Sequence, residues 1–134
     1  FEQTANFRRA EGLSVTEAGL AGLETPPNVI IAANDDMALG ALEAVTAWGL
    51  AEEIDILGFD ALPEALESVA NGGLSGTVEQ FPGGQISAAM RVAALEASGC
   101  EYMAEQVILL NPIVITADNL MEAERIGEVE GLGE

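Results

Sequence analysis

Five side chains stand where short apolar runs of the sequence end: Phe7, Asn34, Phe59, Asp60 and Gln80. Asp60 offers acceptors to vicinal hydroxyl groups, while Asn34 and Gln80 each offer both a donor and an acceptor. Phe7 and Phe59 offer flat apolar faces against which the C–H side of a ring can lie. Together they suit a neutral polyhydroxylated ligand, held without a metal, a cofactor or a catalytic base. Other chemistry is thinly supplied. The chain has no His, which removes His-based triads, His general bases and His metal sites. Its one Cys, Cys100, cannot form an internal disulfide and reads as inert apolar filler. Asp35, Asp36 and Asp60 imitate the acidic cluster of a phosphate-accepting receiver domain, but that site also needs a Lys, and the chain has none. No spacing points to an enzyme. Asn34, Asp35 and Asp60 are each good helix caps, and Phe59 alone would pass as a core residue. The binding reading rests on polar or aromatic groups recurring at every strand end.

The elements that must position these groups alternate regularly. A short extended start, Gln3-Thr4-Ala5, leads into a helical stretch from Phe7 to Leu23 that Pro26-Pro27 ends. Val29 to Ala33 is a continuous apolar run, as in a strand covered on both faces. Asn34 then caps a helix carrying Met37, Ala41, Val45 and Trp48 at helical spacing, closed by Gly49. Ile54 to Phe59 is the next strand. Pro63 opens a helix whose stripe is Leu62, Ala65, Leu66, Val69 and Ala70, stopped by Gly72-Gly73. Thr77-Val78 marks a short strand ending at Gln80. Ile86, Ala89, Met90, Ala93 and Ala97 form another helical stripe. Val107 to Leu110 and Ile113 to Thr116 are extended, and a helical turn is expected at Leu120 to Ile126. Gly127 to Glu134 reads as a disordered or weakly docked tail. Alternating strands and helices predict an α/β fold with a mainly parallel sheet and helices on both faces. In such sheets ligands bind beyond the carboxyl ends of the strands, where the five side chains stand.

Composition narrows the class further. Four Arg and no Lys stand against 23 acidic residues, a formal charge of −19 over 134 residues. Four cations cannot build the stripe that displaces counterions from nucleic-acid phosphates, nor a polybasic membrane anchor. The chain is not an acidic disordered tail either, because 49 % of it is hydrophobic. The acid surplus fits a hydrated, salt-adapted surface as well as simple compositional bias. No apolar run approaches the ~20 residues of a membrane span.

The motifs at these positions carry a resemblance. Ala33-Asn34-Asp35-Asp36-Met37-Ala38-Leu39-Gly40-Ala41 resembles the N-D-x-M-A-x-G-A stretch of ribose-type periplasmic sugar-binding proteins. Leu57-Gly58-Phe59-Asp60 with Pro63-Glu64 resembles their V-G-F-D-x-x-P segment. Gly72 to Pro82 resembles G-x-L-x-A-T-V-x-Q-x-P, and Thr4 to Leu13 resembles T-A-D-F/W-D-R-x-K-G-L. Order and spacing agree from about residue 4 to 119.

The resemblance implies a three-layer αβα lobe, flavodoxin-like, of a type I periplasmic binding protein, the receptor of an ABC sugar importer. It implies that Phe7 stacks on the sugar and that Asn34 and Asp60 hydrogen-bond its hydroxyls. It also implies that Phe59 lines the pocket and that Gln80 lies near hinge and ligand. The implied partners are a monosaccharide, with a pentose favoured, and the membrane permease. The implied location is periplasmic or extracellular, free or membrane-tethered.

Set against the family, residues 1–81 are expected to form the second lobe, incomplete at its start, and residues 82–100 a helix that packs on a first lobe absent from this sequence. Residues 101–118 would be a returning extended segment and 119–134 an acidic tail. The stripe on the 82–100 helix would then be an apolar patch seeking the first lobe or another copy of the chain. The effector domain of lac-repressor-type regulators shares the N-D-x-M-A pattern and is the alternative reading. The helix ending in Gly72-Gly73-Leu74 favours the transport proteins.

Overall fold

The computed structural model describes residues 1–99 and 110–132. Cys100 and the extended run expected at 107–109 lie outside the described residues. Helix α1 spans Arg9–Gly22, strand β1 Val29–Ile31, α2 Asp35–Ala47, β2 Asp55–Leu57, α3 Pro63–Ala70, β3 Thr77–Glu79, α4 Pro82–Ala97 and β4 Ile113–Ile115. Two 3-10 turns, Leu120–Glu122 and Ile126–Glu128, follow.

β1 and β2 run parallel, with Val29 opposite Asp55 and Ile31 opposite Leu57. A parallel bridge between Leu57 and Gly76 brings the approach to β3 alongside β2. The pairing is extended by Gly58 N–H to Gly76 at 3.0 Å and Asp60 N–H to Val78 at 3.0 Å. β4 closes the order antiparallel to β3, Thr77 opposite Ile115. Three consecutive strands therefore end on one edge, as the alternating pattern requires.

The core forms where the helical stripes meet the strands. Leu20, Leu39, Val45, Ile54, Ile56, Val69 and Leu74 make one cluster. α1 and α2 pack closely because two glycines stand between them. A Cβ on Gly12 would lie 2.7 Å from the Met37 carbonyl oxygen, and one on Gly40 would run into the Arg9 carbonyl oxygen. Arg9 adds a two-pronged ion pair to Glu64 at 2.6 and 2.7 Å, tying α1 to the start of α3. The bond to Glu64 raises the Arg9 pKa, and the guanidinium holds the Glu64 carboxyl below its ordinary value.

Several expectations are corrected. Gln3 to Ala5 forms no strand among the described residues. The helix after it begins at Arg9 rather than Phe7, because Asn6 and Phe7 are left-handed, φ 47° and 56°. β1 is not covered on both faces: Val29 and Ile31 are exposed, Ile31 at 79 %. Strand geometry sends alternate side chains to opposite faces, and only Ile30 turns to the core. Trp48 falls at the C-cap of α2 and is half exposed, so the apolar stripe ends at Val45.

The tail is not loose along its described length. Ala123 and Val129 are buried against Ala61, Leu66 and Ile115, with Ile126 and Leu132 packed on that second cluster. The apolar residues recur every third position, which a 3-10 turn lays on one side. The helix expected on 82–100 forms as α4, and none of its residues is buried.

Candidate functional site

The strand ends and the turn before α1 build the site. Asn34 follows β1 and caps α2, its Oδ1 accepting the Met37 N–H at 3.0 Å. Among the described residues its Nδ2 makes no hydrogen bond, so two donors remain for a ligand. Phe59 and Asp60 follow β2, and the Phe59 carbonyl accepts the Asp35 N–H at 2.8 Å, drawing the two strand ends together. Gln80 follows β3 and donates its Nε2–H to Asp60 Oδ1 at 2.7 Å. One Asp60 oxygen is thus oriented by Gln80, and the other is open to hydroxyl donors. Partial burial raises the Asp60 pKa, which the Gln80 bond opposes.

The structure thereby brings Asn34, Phe59, Asp60 and Gln80 to one edge. Among the described residues Phe7 follows no strand: it lies in the turn before α1 and is 66 % exposed. It shares the wall of a cavity of about 560 Å³ with Ala33 and Met37. The remainder of that cavity is largely apolar, with Val15, Leu20, Leu23 and Ile30 in its lining, and is a poor match for a sugar.

Backbone strain concentrates at this strand-end edge and in the turn before α1. The non-glycine residues with left-handed φ among those described are Asn6, Phe7, Asp60, Ala61 and Phe81. Each costs on the order of 1 kcal/mol or more, and such residues persist where surrounding bonds hold them and where function requires them. Asn6 donates to Glu11 Oε2 at 2.6 Å. Phe81 is held by Glu79, a fully buried side chain whose Oε1 accepts the Phe81 N–H at 2.6 Å and whose Oε2 accepts the Glu124 N–H at 3.0 Å.

Behind Asp60 lies a residue that the sequence offered only as a helix cap or as half of a receiver-type acidic pair. Asp35 is fully buried. Its Oδ2 accepts the Leu62 N–H at 2.8 Å and its Oδ1 accepts the Thr77 hydroxyl at 2.6 Å. Burial pushes its pKa up to about 6, against the lowering effect of those bonds. Thr77 gave no sign in the sequence, since its partner is 42 positions away. Among the described residues no group of three or more His, Cys, Asp or Glu could hold a metal ion.

The carboxyl edge of this α/β sheet presents one carboxylate, two side-chain amides and the Phe59 ring, at the place where open α/β sheets take their ligands. Residues 2–101 match the periplasmic binding protein domain, and the chain belongs to that family. Its fold is that of the type I members, an αβα lobe. It is 43 % identical over 81 residues to the ribose import binding protein RbsB of Bacillus subtilis, covering 60 % of this chain and 26 % of that protein. It is 36 % identical over 127 residues to a putative rhizopine-binding protein of Rhizobium meliloti, covering 90 % of this chain and 38 % of that one. The structure of a Caulobacter myo-inositol binding protein bound to myo-inositol matches with a TM-score of 0.86 and 47 % identity, over 96 % of this chain and 43 % of that chain. An Actinobacillus succinogenes solute binding protein with bound D-allose matches at a TM-score of 0.83 and 33 % identity, over 89 % and 41 %. The chain thus spans about a quarter of the ribose-binding relative and under half of the solved chains.

Proposed function

We propose that this chain forms one wall of the ligand cleft in the receptor of an ABC-type sugar importer. It acts by binding and not by catalysis. Asn34 and Asp60 hydrogen-bond the hydroxyls of a monosaccharide-sized polyol, Gln80 orients Asp60, and Phe59 and Phe7 supply its apolar walls. The parent is exported, to the periplasm or the cell exterior, and delivers its ligand to a membrane permease. The observation that carries this reading is the Asp60–Gln80 pair at 2.7 Å on the same strand-end edge as Asn34. A hydrogen bond to a charged acceptor is worth about 1.5–3 kcal/mol. An open carboxylate oxygen there rewards a hydroxyl more than it rewards an apolar ligand.

A pentose is the ligand favoured by the ribose-type motifs, so D-ribose is the first sugar to titrate. Myo-inositol is the second, on the 47 % identity to the inositol-binding structure. Calorimetry of the chain with each sugar, and of Asp60→Ala beside it, tests the reading. We expect millimolar or tighter binding by the parent chain and a loss of at least tenfold in Asp60→Ala. Absence of heat with either sugar, in this chain and in any longer form containing it, refutes it.

A further inference from the structure

The Asp60 carboxylate is presented by a loop that cannot hold its own shape. Asp60 has φ 113° and Ala61 φ 49°, two consecutive left-handed residues, neither of them glycine. Besides the Asp60 N–H bond to the Val78 carbonyl at 3.0 Å, four hydrogen bonds made by Asp35 and Thr77 surround that stretch. Asp35 Oδ2 accepts the Leu62 N–H at 2.8 Å. Thr77 Oγ1 accepts the Ala61 N–H at 3.2 Å while donating its own hydrogen to Asp35 Oδ1 at 2.6 Å. The Phe59 carbonyl accepts the Asp35 backbone N–H at 2.8 Å. One buried carboxylate–hydroxyl pair therefore meets both amides that follow Asp60, and the backbone of the same aspartate meets the carbonyl that precedes it. Helix capping does not explain Asp35, because Asn34 already caps α2. The site is also shaped to admit it, since a Cβ on Gly58 would run into Asp35 Oδ1.

We propose that Asp35, acting with Thr77, is a positioning residue for sugar recognition: it locks residues 60–62 in the left-handed path that carries the Asp60 carboxylate to the cleft. This rests on the receptor reading above. Asp35 does not touch ligand and acts through the loop.

The charged groups on the elements around Asp35 include Asp36 and Glu43 of α2, Asp55 of β2, Asp60 of the loop, Glu67 of α3, Glu79 of β3, Glu11 and Glu17 of α1, and the Arg9–Glu64 pair joining α1 to α3. Glu79 is bonded to Phe81 and Glu124, and Asp60 acts on Asp35 as a like charge. With its pKa near 6, Asp35 exchanges one acceptor oxygen for a donor hydroxyl within an accessible pH range, and the loop amides report that exchange.

The test compares wild type, Asp35→Asn and Thr77→Val in the 134-residue chain. Amide shifts of Ala61 and Leu62 are followed from about pH 4.5 to 8, their hydrogen exchange is measured, and D-ribose and myo-inositol are titrated. In wild type we expect the Leu62 amide to titrate with a midpoint near 6, and Asp35→Asn to abolish that titration. Thr77→Val should lower Ala61 protection by about tenfold and weaken sugar binding by a similar factor, with Asp60 intact. Loop amides that ignore pH, and protection equal in all three proteins, overturn the proposal. Undiminished sugar binding by Thr77→Val does the same. If neither this chain nor a longer form containing it binds either sugar, the receptor reading falls, and the amide measurements still decide whether Asp35 and Thr77 hold the loop.

Discussion

The spacing of α1 and α2 sets the distance between Phe7 and Asn34, which stand just before the two helices, and Gly40→Ala is the perturbation that probes it. The added Cβ would run into the Arg9 carbonyl oxygen and lie 2.8 Å from Leu13 N and 3.0 Å from Arg9 C. All three are backbone atoms of a helix, so no side-chain rotation relieves them. Ordinary contact begins near ~3.5 Å, so α1 must retreat from α2 by roughly 1 Å or more. A gap of that size forfeits roughly a quarter or more of the dispersion well for every pair across the interface, including those made by Leu20, Ala38 and Ala41. Overpacking of this kind costs about 1–3 kcal/mol, and the gain in helix propensity from Gly to Ala returns up to ~1 kcal/mol. A net loss near 2 kcal/mol corresponds to a fall in Tm of roughly 5–10 °C for a chain this size.

Gly22→Ala is the matched control. It sits at the end of α1, has no heavy atom within 4 Å of the added Cβ, and should be neutral or stabilising by about 0.5 kcal/mol. Urea titration and thermal melting of both variants decide the matter. Equal stabilities for Gly40→Ala and wild type would refute the close packing of α1 on α2.

Asp35 makes folding stability depend on pH. Its folded pKa lies above the unfolded value of 3.8, so the fold binds the proton more tightly and stability contributed by this group declines as pH rises from about 4 to about 6. A shift of this size is worth roughly 3 kcal/mol. The difference in unfolding free energy between wild type and Asp35→Asn should fall across that window and be flat above about pH 6.5; a constant difference contradicts it. The tail's docking predicts that Val129→Asp costs about 2 kcal/mol or more, because a charge would replace a residue only 6 % exposed, and an unchanged urea midpoint would show the tail undocked. With a net charge of −19 the chain should gain melting temperature steeply from dilute buffer to molar salt, and a flat profile would remove self-repulsion as a factor.

Residue types at the strand ends, and the Gly and Pro residues between elements, were readable because they act locally. Apolar runs of three to six residues mark strands, and an Asn before a helical stripe satisfies its first free N–H groups. Family membership was readable for the same reason: the motifs around Asn34, Asp60 and Gln80 are contiguous. What separated Asp35 from Asp36 was not readable. Both are adjacent acids in a first helical turn, yet one is fully buried against Leu62 and Thr77 and the other reaches Arg9 at 3.8 Å. The choice depends on which side of α2 meets the loop after β2. The left-handed turns at Ala61 and Phe81 were equally hidden, since neither residue type favours that conformation.

Sequence by itself determined the order of elements from α1 onward, the absence of His- and Lys-based chemistry, and that Asn34, Phe59, Asp60 and Gln80 follow the strands. These follow from composition and from hydrogen bonds satisfied within a few residues. Only the tertiary structure decided that Gln80 grips Asp60, that Asp35 and Thr77 hold the loop behind it, and that Val129 is docked while Ile31 is bare. Each of those joins residues far apart in the chain, and their energies depend on burial, which no local pattern specifies.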